Sequence, residues 1–224
     1  MKRPILLAGS ILSADFGHLA DDTNAALRAG MDHIHFDVMD HHYVPNLSFG
    51  ALVCDSLRKA NITAPIDVHL MVTDPLPYIE PFATAGANSI LFHSETVRDI
   101  NATIHIILQN GMDAGLVLNP GETLDISPQT LARLNRILIM SVQPGFGGQT
   151  FLPSAINALH HTRRFLDRQQ LNTQLGIDGG INPDTIGAAY LAGADYFVVG
   201  SSLFKSDDYD LQVQKLYRQL DKID

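Results

Sequence analysis

"RAGMDHIHFDVMD", residues 28–40, puts a glycine where a helix would end and follows it with an apolar run carrying His33, His35, Asp37 and Asp40. The same construction returns as "TAGANSILFHSE" (84–95), "QNGMDAGLVLNP" (109–120) and "LAGADYFVVGSS" (191–202). Glycine closes a helix because it adopts the left-handed conformation at no steric cost. A glycine-capped helix running into a short apolar segment is the turn of an alternating helix–strand chain.

Working outward, eight apolar runs emerge: 5–12, 33–39, 66–72, 89–95, 114–120, 137–144, 175–181 and 196–202. Between them lie amphipathic stretches at 16–29, 50–60, 77–86, 97–110, 154–170, 184–193 and 208–220, while 121–135 admits only a short helix after Pro128. Alternation of this kind gives a parallel sheet. The open doubly wound sheet would carry G-x-G-x-x-G after its first strand, and "AGSILSADF" (8–16) lacks it. The expected fold is therefore an α/β (β/α)8 TIM-type barrel with eight parallel strands. No Pro/Gly/Ser linker or charge run divides the chain, so residues 1–224 read as one domain.

Composition narrows the function. A net charge of −9 disfavours nucleic acid and anionic membranes as partners, while leaving room for a small anion held by backbone amides. The 224 residues include no apolar stretch of about 18, so no membrane span is expected. "MKRPILLAGSIL" superficially resembles a signal peptide, but Pro4, Gly9 and Ser10 interrupt it and it reads as a first strand. The single cysteine, Cys54, forms no disulfide within the chain, which fits a reducing, cytoplasmic setting.

Residues two apart on a strand share a face, and barrel sites lie at strand C-terminal ends. His33, His35, Asp37 and Met39 therefore share one face of the second strand, and Asp67, His69 and Met71 one face of the third. Asp178 ends the seventh strand beside Gly179 and Gly180. A single such histidine is readily explained as a hydrogen-bonded core residue. The set His35, Asp37, His69 and Asp178, without a matching lysine or arginine, calls instead for a divalent cation or shared protons. His42, His105, His160 and His161 read as loop or helix-surface residues. Gly145, Gly147 and Gly148, with Gly179–Gly180 and Gly200–Ser201, suit a phosphate nest near the last strands, although turn chemistry alone explains any one pair. Met39, Met71 and Met140 stand at corresponding places on three strands, as core packing or as an apolar rim over the reacting centre. None of the five lysines lies in a strand, which argues against Schiff-base chemistry.

With these residues in view, the chain closely resembles the ribulose-phosphate 3-epimerase family. The matching stretches are "SILSADF" (10–16), "HFDVMD" (35–40), "VPNLSFG" (44–50), "DVHLMV" (67–72), "PGFGGQTF" (144–151), "DGGI" (178–181) and "VGSSLF" (199–204). The resemblance implies interconversion of D-ribulose 5-phosphate and D-xylulose 5-phosphate, the pentose phosphate pathway reaction. It implies one divalent ion (Zn, Fe, Mn or Co) on His35, Asp37, His69 and Asp178, with Asp37 and Asp178 as the acid/base pair. Ser10, His69, the segment Gly145–Phe146–Gly147–Gly148 and Gly179–Gly180 would meet the substrate, with Gly200 and Ser201 holding phosphate. A homo-oligomer is also implied. Family members usually have Gly at His41, Asn or Glu at Gln143, Glu or Gln at Gly176 and Pro at Gly9; of these departures, those at His41 and Gln143 bear on sugar length preference or protein contacts. The alternatives are an epimerase of a six-carbon ketose phosphate such as D-allulose 6-phosphate, or a non-catalytic barrel that binds a phosphorylated ligand. Decarboxylases of related fold carry Asp-x-Lys-x-x-Asp, whereas this chain reads Asp37-Val38-Met39-Asp40.

Overall fold

The computed structural model describes residues 4–223. Eight parallel strands close in sequence order, β1 pairing with β8. They are β1 Leu6–Ser10, β2 His33–Met39, β3 Ile66–Met71, β4 Ser89–His93, β5 Asp113–Leu118, β6 Arg136–Met140, β7 Gln174–Asp178 and β8 Tyr196–Val199. Around them run α1 Leu19–Arg28, α2 Ala51–Lys59, α3 Leu76–Thr84, α4 Ile100–Gln109, α5 Pro128–Leu131, α6 Ser154–Arg168, α7 Ile186–Leu191, α8 Ser201–Phe204 and α9 Tyr209–Asp221. No helix among the described residues is long and apolar enough to cross a membrane.

Strand residues at even and odd positions divide cleanly between two cores. Ile34, Phe36 and Val38 of β2, with Val68 and Leu70 of β3, face outward and pack against the helices in the larger apolar cluster. Ala8, Leu91, Val117, Leu138, Met140, Tyr196 and Val198 fill the barrel interior. The four glycines before strands, Gly30, Gly86, Gly111 and Gly193, all adopt positive φ, between 77° and 112°. Their left-handed caps reverse the chain into β2, β4, β5 and β8 as the spacing predicts.

Apart from β2, the strands end earlier than the apolar runs. β6 stops at Met140 and β7 at Asp178, and the remaining residues of each run turn outward as loops. Those tails hold the glycines and polar groups, which leave the hydrogen-bond ladder to line the barrel mouth. The four-residue helix α8, unforeseen in the sequence, forms immediately after Gly200.

The lower interior is polar. Asp67 is buried and takes hydrogen bonds from Ser89 Oγ at 2.5 Å and Tyr196 Oη at 2.8 Å. His33 Nδ1 lies 2.6 Å from it and Arg136 Nη1 2.9 Å. Arg136 also donates to Gln174 Oε1 and stacks 3.6 Å over the Tyr196 ring. Thus His33 and Asp67, which share strand faces with the candidate ligands, belong to a separate cluster, and Asp67 has its cationic partner. Gly176 accommodates the arrangement. A Cβ there would stand 2.8 Å from Leu138 Cδ1 and 3.0 Å from the Tyr196 ring, so a larger residue requires the Leu138 side chain and the ring to shift.

Candidate active site

Register carries the polar strand residues to one place. Ser10 pairs with His35 between β1 and β2, and Asp37 with His69 between β2 and β3. On the other side Met140 pairs with Asp178. One ligand atom from each of His35, Asp37, His69 and Asp178 lies within 4.8 Å of all the others. His35 Nε2 is 3.3 Å from Asp37 Oδ1 and 3.6 Å from Asp178 Oδ2. His69 Nδ1 is 3.1 Å from Asp37 Oδ1 and 3.8 Å from Asp178 Oδ2. Ser10 Oγ donates to the other Asp37 oxygen at 2.7 Å.

Burial makes this cluster demanding. Both histidines are fully buried, and neither ring nitrogen of His35 has a hydrogen-bond partner. Buried imidazole nitrogens normally find one, so the unpartnered His35 nitrogens, converging with His69 and two carboxylates to which no lysine or arginine is paired among the described residues, fit a divalent cation. Two imidazoles and two carboxylates are a borderline donor set, suited to zinc or the neighbouring transition metals. Burial alone would raise Asp37, but His35 and His69 outweigh it and hold its carboxyl far below the usual range. Burial pushes Asp178 up to about 6, against the pull of His35 and with the negative charge of Asp37 adding to the rise. Burial also opposes a charged His35, yet Asp37 and Asp178 reverse this and raise its pKa.

Above the cluster lies a narrow cleft. Met39, Met71 and Met140 line it, each almost fully buried, with Leu12, Val142 and Val198. Ser10, Gly145, Phe146, Gly147, Gly148, Gly179, Gly180, Gly200 and Ser201, all named from the sequence, also line it. Gly180 has φ 63° and an added Cβ would meet the Phe151 backbone nitrogen at 2.7 Å, so only glycine fits. Gln149 Nε2 pins the loop after β6 by donating to the carbonyls of Gln143 at 2.6 Å and Phe146 at 2.8 Å. Asn46 Nδ2 ties it to the loop after β2 through the Gly145 carbonyl at 2.7 Å.

Three residues near the site escaped the sequence reading. Ser13 Oγ lies 3.3 Å and 3.1 Å from where Cβ atoms of Gly147 and Gly200 would stand. Lys205 Nζ is 4.0 Å from the corresponding point on Gly148, beside Ser201 Oγ. His93 ends β4 and reaches His69 Nε2 at 2.9 Å. The strand-face rule would have found His93, two residues beyond the inward Leu91; Ser13 and Lys205 stand outside any strand and had no such signal.

The pattern of the ribulose-phosphate 3-epimerase family matches residues 6–204. The chain belongs to the ribulose-phosphate 3-epimerase family. It is 47% identical over 218 residues to ribulose-phosphate 3-epimerase of Escherichia coli (strain K12), covering 97% of both chains. It is 49% identical over 215 residues to that of Buchnera aphidicola subsp. Acyrthosiphon pisum, covering 96% of this chain and 94% of the relative. Membership makes the chain an isomerase of the epimerase type. The fold reaches further than the family. Phosphoribosyl anthranilate isomerase from Thermus thermophilus superposes with a TM-score of 0.69 at 9% identity, over 98% of this chain and 100% of that one.

Proposed function

We propose that the chain interconverts D-ribulose 5-phosphate and D-xylulose 5-phosphate by two-base proton transfer, as a step of the pentose phosphate route. The observation that carries this reading is the split between two neighbouring carboxyls. Asp37 on β2 is held ionised by two imidazoles, while Asp178 on β7 sits at about 6. Environments that drive a carboxyl pair apart are how a site obtains one base and one acid near neutral pH.

Inverting C3 beside a C2 ketone requires removing a weakly acidic proton and returning one to the opposite face. One aspartate takes the C3 proton, the planar enediolate forms, and the other aspartate delivers a proton from across the plane. Ser10, bonded to Asp37 Oδ2, orients that carboxylate and leaves Oδ1 toward the histidines. The residues His35, Asp37, His69 and Asp178 would hold one divalent ion, of zinc, iron, manganese or cobalt. When bound, it supplies Lewis-acid stabilisation of the charge developing on the sugar oxygens. The three methionines keep water from the carbanion-like carbon. Backbone amides around Gly145–Gly148, Gly179–Gly180 and Gly200–Ser201 would receive the phosphate, an anion the net charge of −9 does not attract at long range. The single unpaired cysteine supports a cytoplasmic location, and the exposed Leu47 and Leu52 support a homo-oligomer, which sedimentation would test.

The deciding experiment is turnover of metal-reconstituted protein on D-ribulose 5-phosphate beside D-allulose 6-phosphate, with solvent deuterium followed at C3. Higher kcat/KM on the five-carbon sugar with C3 exchange is expected. Preference for the six-carbon sugar would keep the chemistry and change the substrate. Binding without exchange on either would replace the epimerase by a ligand-binding barrel.

A further inference from the structure

His93 has no solvent exposure, and its Nε2 lies 2.9 Å from Nε2 of His69, the two rings stacked at 5.1 Å. Its Nδ1 has no hydrogen-bond partner, and an acidic oxygen, Glu95 Oε1, lies at 3.6 Å. That oxygen is held in place. Tyr43 Oη donates to it at 2.5 Å and Asn119 Nδ2 at 2.6 Å, while Asn119 also donates to Tyr43 Oη at 2.9 Å. A polar line thus runs from the candidate metal cluster through two imidazoles to a carboxylate anchored by the loops after β2 and β5.

Two neutral imidazoles in contact share one proton between the facing nitrogens. If that proton belongs to His93, His69 carries its own on Nδ1 and points an N–H into the cluster. If it belongs to His69, Nδ1 of His69 keeps its lone pair, and the proton of His93 sits on Nδ1, facing Glu95. Without a cation, Asp37 Oδ1 at 3.1 Å from His69 Nδ1 draws the proton there and favours the first arrangement. A cation held between them excludes that proton, and Glu95 then favours the second arrangement, because a bare His93 Nδ1 lone pair beside an anion is repulsive. Ligand histidines are oriented in this way when the other ring nitrogen meets a fixed partner. We propose that His93 and Glu95 are positioning residues that hold His69 in its metal-ligating tautomer, with Tyr43 and Asn119 fixing Glu95. This rests on the metal reading above, and neither residue is assigned contact with substrate. A merely structural role predicts lost stability on substitution; the relay predicts lost metal affinity in a chain that stays folded.

The test uses the full chain with His93→Phe, His93→Gln and Glu95→Gln. Zinc and cobalt affinities are measured by chelator competition without substrate, beside thermal unfolding of the metal-free proteins. His93→Phe is expected to weaken metal binding by about 10–100-fold and Glu95→Gln by about 10-fold. His93→Gln is expected to recover part of the loss, since its amide oxygen can accept from His69 Nε2–H. Nitrogen-15 spectra of the zinc-loaded parent should show the His69 proton on Nε2. If His93→Phe does not fold, Glu95→Gln, at a partly exposed position, carries the test. Affinity in Glu95→Gln within about twofold of the parent's overturns the relay alone. A parent that binds neither metal overturns the metal reading and the relay with it.

Discussion

Ser10 Oγ donates to Asp37 Oδ2 at 2.7 Å, leaving Oδ1 of the same carboxylate 3.1 Å from His69 and 3.3 Å from His35. The two oxygens of one aspartate thus serve different neighbours, one a fixed hydroxyl and the other the imidazole cluster. Asparagine at position 37 preserves shape but removes the carboxylate of the proposed acid/base pair, and the same holds at 178. Each substitution is expected to lower kcat by about 10²–10⁴-fold, with the protein still folded by circular dichroism. Substantial turnover in either variant would sink the two-base scheme.

Asp178 carries a pH signature. Burial raises it to about 6, so in the metal-free chain its protonated form is the one the fold prefers. The stability it contributes is complete below its unfolded value of about 3.9 and is lost as pH rises through about 6. Metal ligation needs the ionised form and reverses the preference. Metal affinity should therefore fall as pH drops below about 6. Competition titrations on both sides of that pH would check it, and a flat profile would contradict the assignment of Asp178 as a ligand.

The lower polar cluster predicts a stability effect without a catalytic one. Arg136→Met leaves Asp67 buried without its guanidinium, and removing one partner of a buried pair costs about 3–5 kcal/mol. The denaturation midpoint should drop accordingly, while kcat of the folded fraction stays near the parent value. Adding Asp67→Asn should recover part of the loss; a double variant less stable than the single would refute this account.

His41, in the loop after β2, adopts φ 62°. A left-handed conformation costs a non-glycine residue about 1–2 kcal/mol. Glycine avoids that cost but gives the unfolded chain more freedom, a loss of about 0.4–1 kcal/mol. His41→Gly is expected to stabilise by roughly 0.5–1 kcal/mol net, read from chemical denaturation. A destabilised variant would mean that the histidine side chain contributes more than its backbone costs.

Lys205 offers a cation close to the glycine loop that would receive phosphate. It is exposed, so its influence is limited by screening. Lys205→Met is expected to raise KM about fivefold at low salt, by roughly 1 kcal/mol, with kcat unchanged and the difference shrinking as salt is added. An unaltered KM at low salt would remove Lys205 from the phosphate site.

The alternation of elements, the glycine caps and the face on which each strand residue lies were legible in the sequence, because helix and strand periods act over a few neighbouring residues. That local rule placed His35 and Asp37 on one strand face, and His69 on the matching face of the next strand. It could not separate His33 and Asp67 from them, since face is periodic but height in the barrel depends on register and shear. Only closure of the barrel set Arg136 and Tyr196 against Asp67, and only that packing brings Leu138 and the Tyr196 ring close over Gly176. Asp178 meets Asp37 because closure returns the seventh strand to the neighbourhood of the second, a contact no local period encodes. His69 meets His93 through the sideways pairing of β3 and β4, and Ser13 and Lys205 reach the mouth on irregular backbone. Local periodicity thus decided which residues face inward, and the non-local register of a closed sheet decided which of them touch.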